Sequence, residues 1–299
     1  MKPLRLGILG LSEGNGHPYS WSAIFNGYNH VAMKDCPFPI IPEYLSKQNF
    51  PEDAISDARV THIWTQDKHL SEHIARACYI ENVVDHYVDL IGKVDGILLA
   101  RDDAELHLEM SKPFLKEGLP VYIDKPLANR VDLAEDIFSL EQYEGQIFSC
   151  SALRYAKEFQ LEPADFEQIG NIRFIDACVM KNWEKYGVHI VEPVVNMIGN
   201  QGKLLEAKNF ISQGTKIVFT RWESGLLATF SAHGSTPCPI TIRLFGDKGF
   251  KALVFKDTFF AFKQALKVFV DCIRTRRNPI KREFVLNVVD ILDWGNREQ

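Results

Sequence analysis

Two stretches of this 299-residue chain carry side chains at spacings that chemistry can use. In the first, Gly-Leu-Pro-Val-Tyr-Ile runs straight into Asp124-Lys125-Pro126, so a short apolar strand delivers an acid and a lysine together at its end. In the second, Lys185-Tyr-Gly-Val-His189-Ile-Val-Glu192, a cation, an imidazole and an acid follow one another at intervals of four and three. A helix would set all three on one face. Oxidising a secondary alcohol needs a base for the hydroxyl proton, a hydride acceptor, and positive charge beside the developing alkoxide. His189 suits the base role, with an unperturbed pKa of ~6.5. Lys125 suits the alkoxide, and shares the proton if burial or a nearby cation lowers its pKa. Lys185, if it faces the same site, pushes Lys125 towards neutrality and favours a neutral His189. Pro193 cannot donate to the His189 carbonyl, so that helix must start late or bend. Taken alone, His189 reads better as a structural histidine, and Lys185 as a solvated one.

These groups need elements to position them. Leu4–Leu11 is a short apolar run, and Gly10-Leu11-Ser12-Glu13-Gly14-Asn15-Gly16 follows, as a buried first strand feeding a tight turn would look. Backbone N–H groups in such a turn, with a helix N-terminus behind them, can approach a pyrophosphate. The G-x-G-x-x-G pattern would need glycine where this chain has Ser12, and Glu13 would repel phosphate if it faced inward, so a purely structural turn stays open. Pro18 suits the start of a helix, with Trp21, Ile24, Phe25 and Tyr28 at helical spacing. Residues 29–58, with four prolines and no clear period, read as a long surface excursion.

Val60–Thr65 reads as a second strand, Leu70–Cys78 as a helix, Val94–Ala100 as a strand, Ala104–Glu117 as a helix closed by Gly118, and Pro120–Ile123 as a strand. Asp67, after the second strand, is placed to bind ribose hydroxyls or to cap a helix, and Lys68 and His69 leave NAD against NADP open. Alternating strands and helices imply a doubly wound parallel sheet. After about residue 170 the pattern changes. Lys216–Trp222 and Leu226–Ala232 flank Glu-Ser-Gly, and Ile240–Phe245 and Phe250–Phe255 flank Gly246-Asp-Lys-Gly249, two hairpin signals in a row. A helical face from Phe262 to Ile273 follows.

Composition narrows the functional classes. Lys plus Arg is 34 against 39 Asp plus Glu, a net charge of −5, which gives no global electrostatic reason to seek nucleic acid or an anionic membrane. Hydrophobic residues at 46% are ordinary for a globular chain. The early apolar run is too short for a signal sequence or a membrane span, so a cytoplasmic location is expected. The six cysteines include no C-x-x-C pair and read as scattered thiols. His69-x-x-Glu72-His73 has metal-ligand spacing but lacks the glutamate directly after the first histidine, and no metal is expected.

The segment from Val94 through Ala100 and His107 to Asp124-Lys125-Pro126 resembles the Gfo/Idh/MocA family, whose members end the corresponding strand in Glu-Lys-Pro. Lys185-Tyr-Gly-Val-His189-Ile-Val-Glu192 is similar to that family's Asp-x-Gly-x-His-x-x-Asp segment, and Arg154-Tyr155 to its basic-aromatic pair. The resemblance covers nearly the whole chain in domain order. It implies an α/β fold with an N-terminal Rossmann domain over residues 1–126. A C-terminal α+β domain with a large, mostly antiparallel sheet would occupy 127–299, while residues 146–152 add a last strand to the Rossmann sheet.

The same resemblance implies an NAD- or NADP-dependent oxidoreductase acting on a sugar, polyol or nucleotide-linked sugar, with a cis peptide before Pro126. Gly10, Leu11, Ser12, Gly14, Asp67, Ala100, Arg101, His107, Asp124, Lys125 and Arg154 would bind the cofactor. Lys125, His189, Lys185 and Glu192 would be catalytic. A homodimer or homotetramer built on the antiparallel sheet is expected. Lys185 stands where the family usually has an aspartate, Glu192 replaces the second acid, and Asp124 shortens the glutamate. Two alternatives follow from those departures: a non-catalytic cofactor- or sugar-binding relative, or lyase or glycosidase chemistry through transient oxidation.

Overall fold

The computed structural model describes residues 2–297. Through residue 148 the elements are β1 (Leu4–Leu9), α1 (His17–Asn26), α2 (Ile40–Leu45), β2 (Ala58–Trp64), α3 (Lys68–Ala77), β3 (Asn82–Val83), β4 (Gly96–Leu99), α4 (His107–Lys116), β5 (Val121–Ile123), α5 (Val131–Ser139) and β6 (Ile147–Phe148). Then come α6 (Pro163–Ile169), β7 (Ile172–Val179), α7 (Trp183–Tyr186), α8 (Val188–Ile198), β8 (Leu204–Ser212), β9 (Thr215–Trp222), β10 (Leu227–Ala232), β11 (Thr241–Gly246), β12 (Phe250–Val254), α9 (Thr258–Thr275) and α10 (Arg282–Asn296). They cluster into two units. Met1–Leu127, Glu135–Ser149 and Phe262–Arg282 form the first; Ala128–Ala134, Cys150–Ala261 and Glu283–Gln299 form the second.

In the first unit six strands pair in the order β3-β2-β1-β4-β5-β6, all parallel. The chain reverses its direction of strand addition between β1 and β4, the point at which open α/β sheets gather ligands at their carboxyl edge. Register makes that edge explicit: Trp64, Leu9, Leu99 and Ile123 lie on one rung. The residues just after this rung, around Gly10, Thr65, Ala100 and Asp124, therefore share one sheet edge. The strands are apolar because both faces are covered; Leu6, Ile8, Leu98 and Ile123 are fully buried. Trp21 of α1 stacks on Tyr122 at 4.7 Å, and Tyr122 and Phe148 meet Phe269 of α9 at 5.5 and 5.8 Å.

The excursion after α1 is less superficial than its sequence suggests. Met33, Ile41, Tyr44 and Leu45 are buried, and a Cβ on Gly16 would lie 2.5 Å from Ile41 and 2.8 Å from Phe38. Its apolar residues sit on a 3-10 turn and the six-residue α2, too short to show a period. The helix expected from Ala104 begins with a 3-10 turn, and α4 proper starts at His107.

In the second unit six strands pair in the order β12-β11-β7-β10-β9-β8. Only the β7–β10 pair is parallel; the others are antiparallel, including the two hairpins. Ile175, Ala177, Val179, Val218, Ala228 and Phe230 are buried on one face. The other face carries an aromatic row in which Phe174 meets Phe245 at 5.8 Å and Phe245 meets Phe250 at 6.3 Å, with Phe250 65% exposed.

Candidate active site

In the first unit, the turns leaving β1, β4 and β5 meet in a buried charge cluster. Asp124 accepts from Asn15 Nδ2 at 2.7 Å, from His17 Nδ1 at 2.7 Å and from the Lys125 backbone N–H at 2.7 Å. Burial alone would push the Asp124 carboxyl up, but the nearby His17 and Lys125 outweigh it and hold the group far below the ordinary carboxylate range. Because an ionised carboxylate only accepts, His17 donates through Nδ1. Its ring is fixed by stacking on Trp21 at 4.8 Å and by the edge of Phe262 at 5.0 Å.

The Lys125 ammonium lies 3.4 Å from Asp102 and 3.9 Å from Asp124, with 7% of its side chain exposed. The Lys125–Pro126 peptide is cis, as the resemblance implied. Asp102 is held in turn by Ser12, whose hydroxyl donates to it at 2.6 Å and accepts from the Asp102 N–H at 3.1 Å. The two carboxylates hold the buried Lys125 ammonium between them, a different neighbourhood from the like-charge repulsion considered for Lys125.

The glycine-rich turn divides by function. A Cβ on Gly10 would lie 2.4 Å from Pro18, so glycine there lets α1 approach β1. Gly14, at φ 77°, has nothing within 4 Å of where its Cβ would be. Glu13 and Gly14 are exposed. Leu11 is tied through both backbone groups to Gln66, its N–H at 3.0 Å and its carbonyl at 2.5 Å.

Other residues assigned to the cofactor from sequence are already engaged. Asp67 is the N-cap of α3 and accepts from the N–H groups of His69 and Leu70, the capping role weighed against ribose binding. Arg101 is spent on Asp103 and on Gln66 at 3.1 Å. The Ala100 N–H goes to Leu9. His107 is fully buried, and its two ring nitrogens face the carbonyls of Leu127 at 2.9 Å and Arg101 at 2.8 Å. It fastens the β4 and β5 turns together.

The second unit holds a separate buried cluster. His189 Nδ1 lies 2.9 Å from the Ser151 hydroxyl, and Glu192 accepts from the Ser151 N–H at 2.6 Å, so the two groups three apart on α8 share one partner. Arg154 joins Glu192 at 3.1 Å and Asn196 at 2.6 Å, and its guanidinium covers Phe284 at 4.5 Å. Burial pushes the Glu192 carboxyl up; Arg154 and the Ser151 N–H offset part of that. Arg154, assigned from sequence to the cofactor, is thus committed to the acid of α8. Lys185, half-buried, belongs to the short α7, and Gly187 keeps helical dihedrals between α7 and α8. With α8 starting at Val188, Pro193 falls inside it and leaves the His189 carbonyl without its helical donor. Asp102, Asn15 and Ser151 were missed from sequence. Their partners lie far along the chain, and the only available signal was Ser12 breaking the glycine pattern.

Residues 45–151 match the model of the Gfo/Idh/MocA oxidoreductase family, NAD-binding Rossmann fold. No curated protein matches the chain. Among solved structures, myo-inositol 2-dehydrogenase from Lactobacillus plantarum is similar with a TM-score of 0.73 at 15% identity, covering 99% of this chain and 98% of that one. Myo-inositol dehydrogenase from Corynebacterium glutamicum is similar with a TM-score of 0.69 at 14% identity, covering 97% and 95%. GenD2 from gentamicin A biosynthesis, solved in complex with NAD, is similar with a TM-score of 0.73 at 13% identity, covering 98% and 93%. At such identities the likeness is one of fold. The family model matches the segment that holds β4 and β5, and the two-sheet fold of the whole chain is that of these dehydrogenase structures.

Proposed function

We propose that this protein is an NAD- or NADP-dependent dehydrogenase or reductase that moves a hydride between nicotinamide and a hydroxyl or keto carbon of a sugar, polyol or nucleotide-linked sugar. The observation that carries this reading is Lys125: a buried ammonium at the carboxyl edge of the parallel sheet, between two carboxylates. The dinucleotide fits the strand order, the close β1–α1 approach at Gly10 and the open rim at Gly14. Gly10, Leu11, Ser12 and Gly14 would hold it, and Asp67 would reach its ribose only by sharing its cap. Bound nicotinamide supplies the hydride acceptor or donor. Lys125 would steady the charge that develops on the substrate oxygen, and His189, oriented by Ser151, would take or give the hydroxyl proton. Glu192 would keep Ser151 and Arg154 in place, while Lys185 would add a positive charge on α7, just ahead of the helix that carries His189.

A cytoplasmic location accords with the sequence, and among the described residues no helix is long and apolar enough to cross a membrane. The Phe174, Phe245 and Phe250 row supports a homo-oligomer through the open sheet face. Its test is sedimentation of Phe250→Lys, expected to be monomeric at micromolar concentration where the parent associates; a monomeric parent would remove the proposal.

The function is tested by titrating the protein with NAD⁺, NADH, NADP⁺ and NADPH while following its melting. A ligand at 100 times its Kd stabilises the fold by ~2.7 kcal/mol. The expected result is selective stabilisation by one dinucleotide pair, followed by reduction of that dinucleotide with an inositol, sugar or nucleotide-sugar panel. No stabilisation by any of the four at millimolar concentration would sink the oxidoreductase reading in favour of a binding protein.

A further inference from the structure

We propose that Ser12 and Asp102 act as a coupled pair that positions Lys125, so that the glycine-rich turn, besides its place in cofactor binding, sets the state of the lysine. This rests on the assignment of Lys125 above. Ser12 and Asp102 exchange two hydrogen bonds, hydroxyl to carboxylate at 2.6 Å and backbone N–H to hydroxyl at 3.1 Å. A carboxylate held at its first oxygen by a side chain and at its own N–H by the same hydroxyl has little freedom left. Its second oxygen is the one that meets the Lys125 ammonium at 3.4 Å. All three side chains are buried, so the attraction is screened less than on the surface.

The other carboxylate at Lys125, Asp124, stands 3.9 Å away and is occupied by Asn15, His17 and the Lys125 N–H. Asp102 is therefore the nearer of the two charges, and its own orientation depends on Ser12. This gives Ser12 a purpose. Glycine at that position would supply backbone freedom but no hydroxyl, and Asp102 would lose its tether. Ser12 and Asp102 are positioning residues; neither is required to touch the substrate.

The test uses a small reagent on the full chain without cofactor. Reductive methylation by formaldehyde and cyanoborohydride consumes free amine, and the rate at Lys125 is read by mass spectrometry against the exposed lysines. Asp102→Asn is expected to raise the Lys125 rate about tenfold, and Ser12→Ala about threefold. Ser12→Thr, which keeps the hydroxyl, is expected to stay at the parent rate. In Asp102→Asn, adding Ser12→Ala should change nothing further, because the serine acts through the acid.

With a turned-over substrate, Ser12→Ala should lower kcat several-fold while leaving the substrate KM within about twofold. Multiplicative effects of the two substitutions, or rates within twofold of the parent in both single variants, would overturn the coupling. If Asp102→Asn does not fold, the contrast of Ser12→Ala with Ser12→Thr decides alone. A parent with no turnover on any dinucleotide and polyol would refute the oxidoreductase reading, while the methylation ratios would still decide the coupling.

Discussion

The two buried charge clusters are built in opposite ways. Around Lys125, partners lie far apart in sequence: Ser12 and Asp102 are separated by 90 residues, Asn15 and Asp124 by 109, His17 and Asp124 by 107. Only the parallel register of the sheet brings those turns to one edge. Around His189, one helix supplies His189, Glu192 and Asn196, and a single turn supplies Ser151 and Arg154. The first cluster depends on the whole sheet; the second depends on how one helix sits over one turn. Chemistry assembled from strand ends is fixed by the fold's topology, whereas chemistry assembled on a helix is fixed by spacing.

That contrast can be broken at its strongest point first. Lys125→Met should cut kcat by ~10³-fold while the dinucleotide still raises the melting temperature, because charge stabilisation at a developing oxyanion is worth about this much. A variant with near-parental turnover would remove Lys125 from the chemistry. In the second unit, Arg154→Met should cost ~3 kcal/mol in urea unfolding, since it leaves a buried carboxylate without its cation, whereas Glu192→Gln should cost less. Equal losses in the two variants would mean that Arg154 matters for packing over Phe284 more than for charge.

Acid titration sharpens the comparison further. The Asp124 carboxyl is depressed in the folded protein, so its contribution is present above the unfolded value of ~3.9 and is lost as pH falls towards the folded value. The stability gap between the parent and Asp124→Asn should therefore be constant from pH 7 to 5 and shrink below about pH 4. Glu192 is raised, so ionising it costs stability as pH rises from its unfolded value towards its folded one, and Glu192→Gln should narrow that cost. Urea midpoints across pH would check both signs. The smallest effect is expected at Asp67→Ala: loss of a helix cap, ~1 kcal/mol, with dinucleotide affinity within threefold. A tenfold loss of affinity would restore Asp67 as a ribose ligand.

The fold was largely legible because its signals are local. The apolar runs of β1 and β4, the glycine turn after β1 and the two hairpins each declare themselves within a dozen residues. The i, i+3 relation of His189 and Glu192 was equally visible. Asp102 was not, since nothing near it in sequence points to Ser12 or Lys125. Ser12 looked like a defect in a glycine pattern until its hydroxyl was seen to hold a carboxylate. His107 and Arg154 suit a ligand by residue type, and only the geometry reveals that their polar atoms have partners within the protein.

Phe269 covers Tyr122 and Phe148, and the residues that complete the first unit include Phe262–Arg282. During synthesis those aromatic side chains emerge long before the helix that covers them. The nascent nucleotide-type half would thus wait, with an uncovered apolar face, until residues 262–282 have left the ribosome, a window in which chaperone binding or aggregation competes with folding. An expression vector ending after residue 149 would make that exposed state permanent, so the first half should be recovered insoluble while the full chain is not.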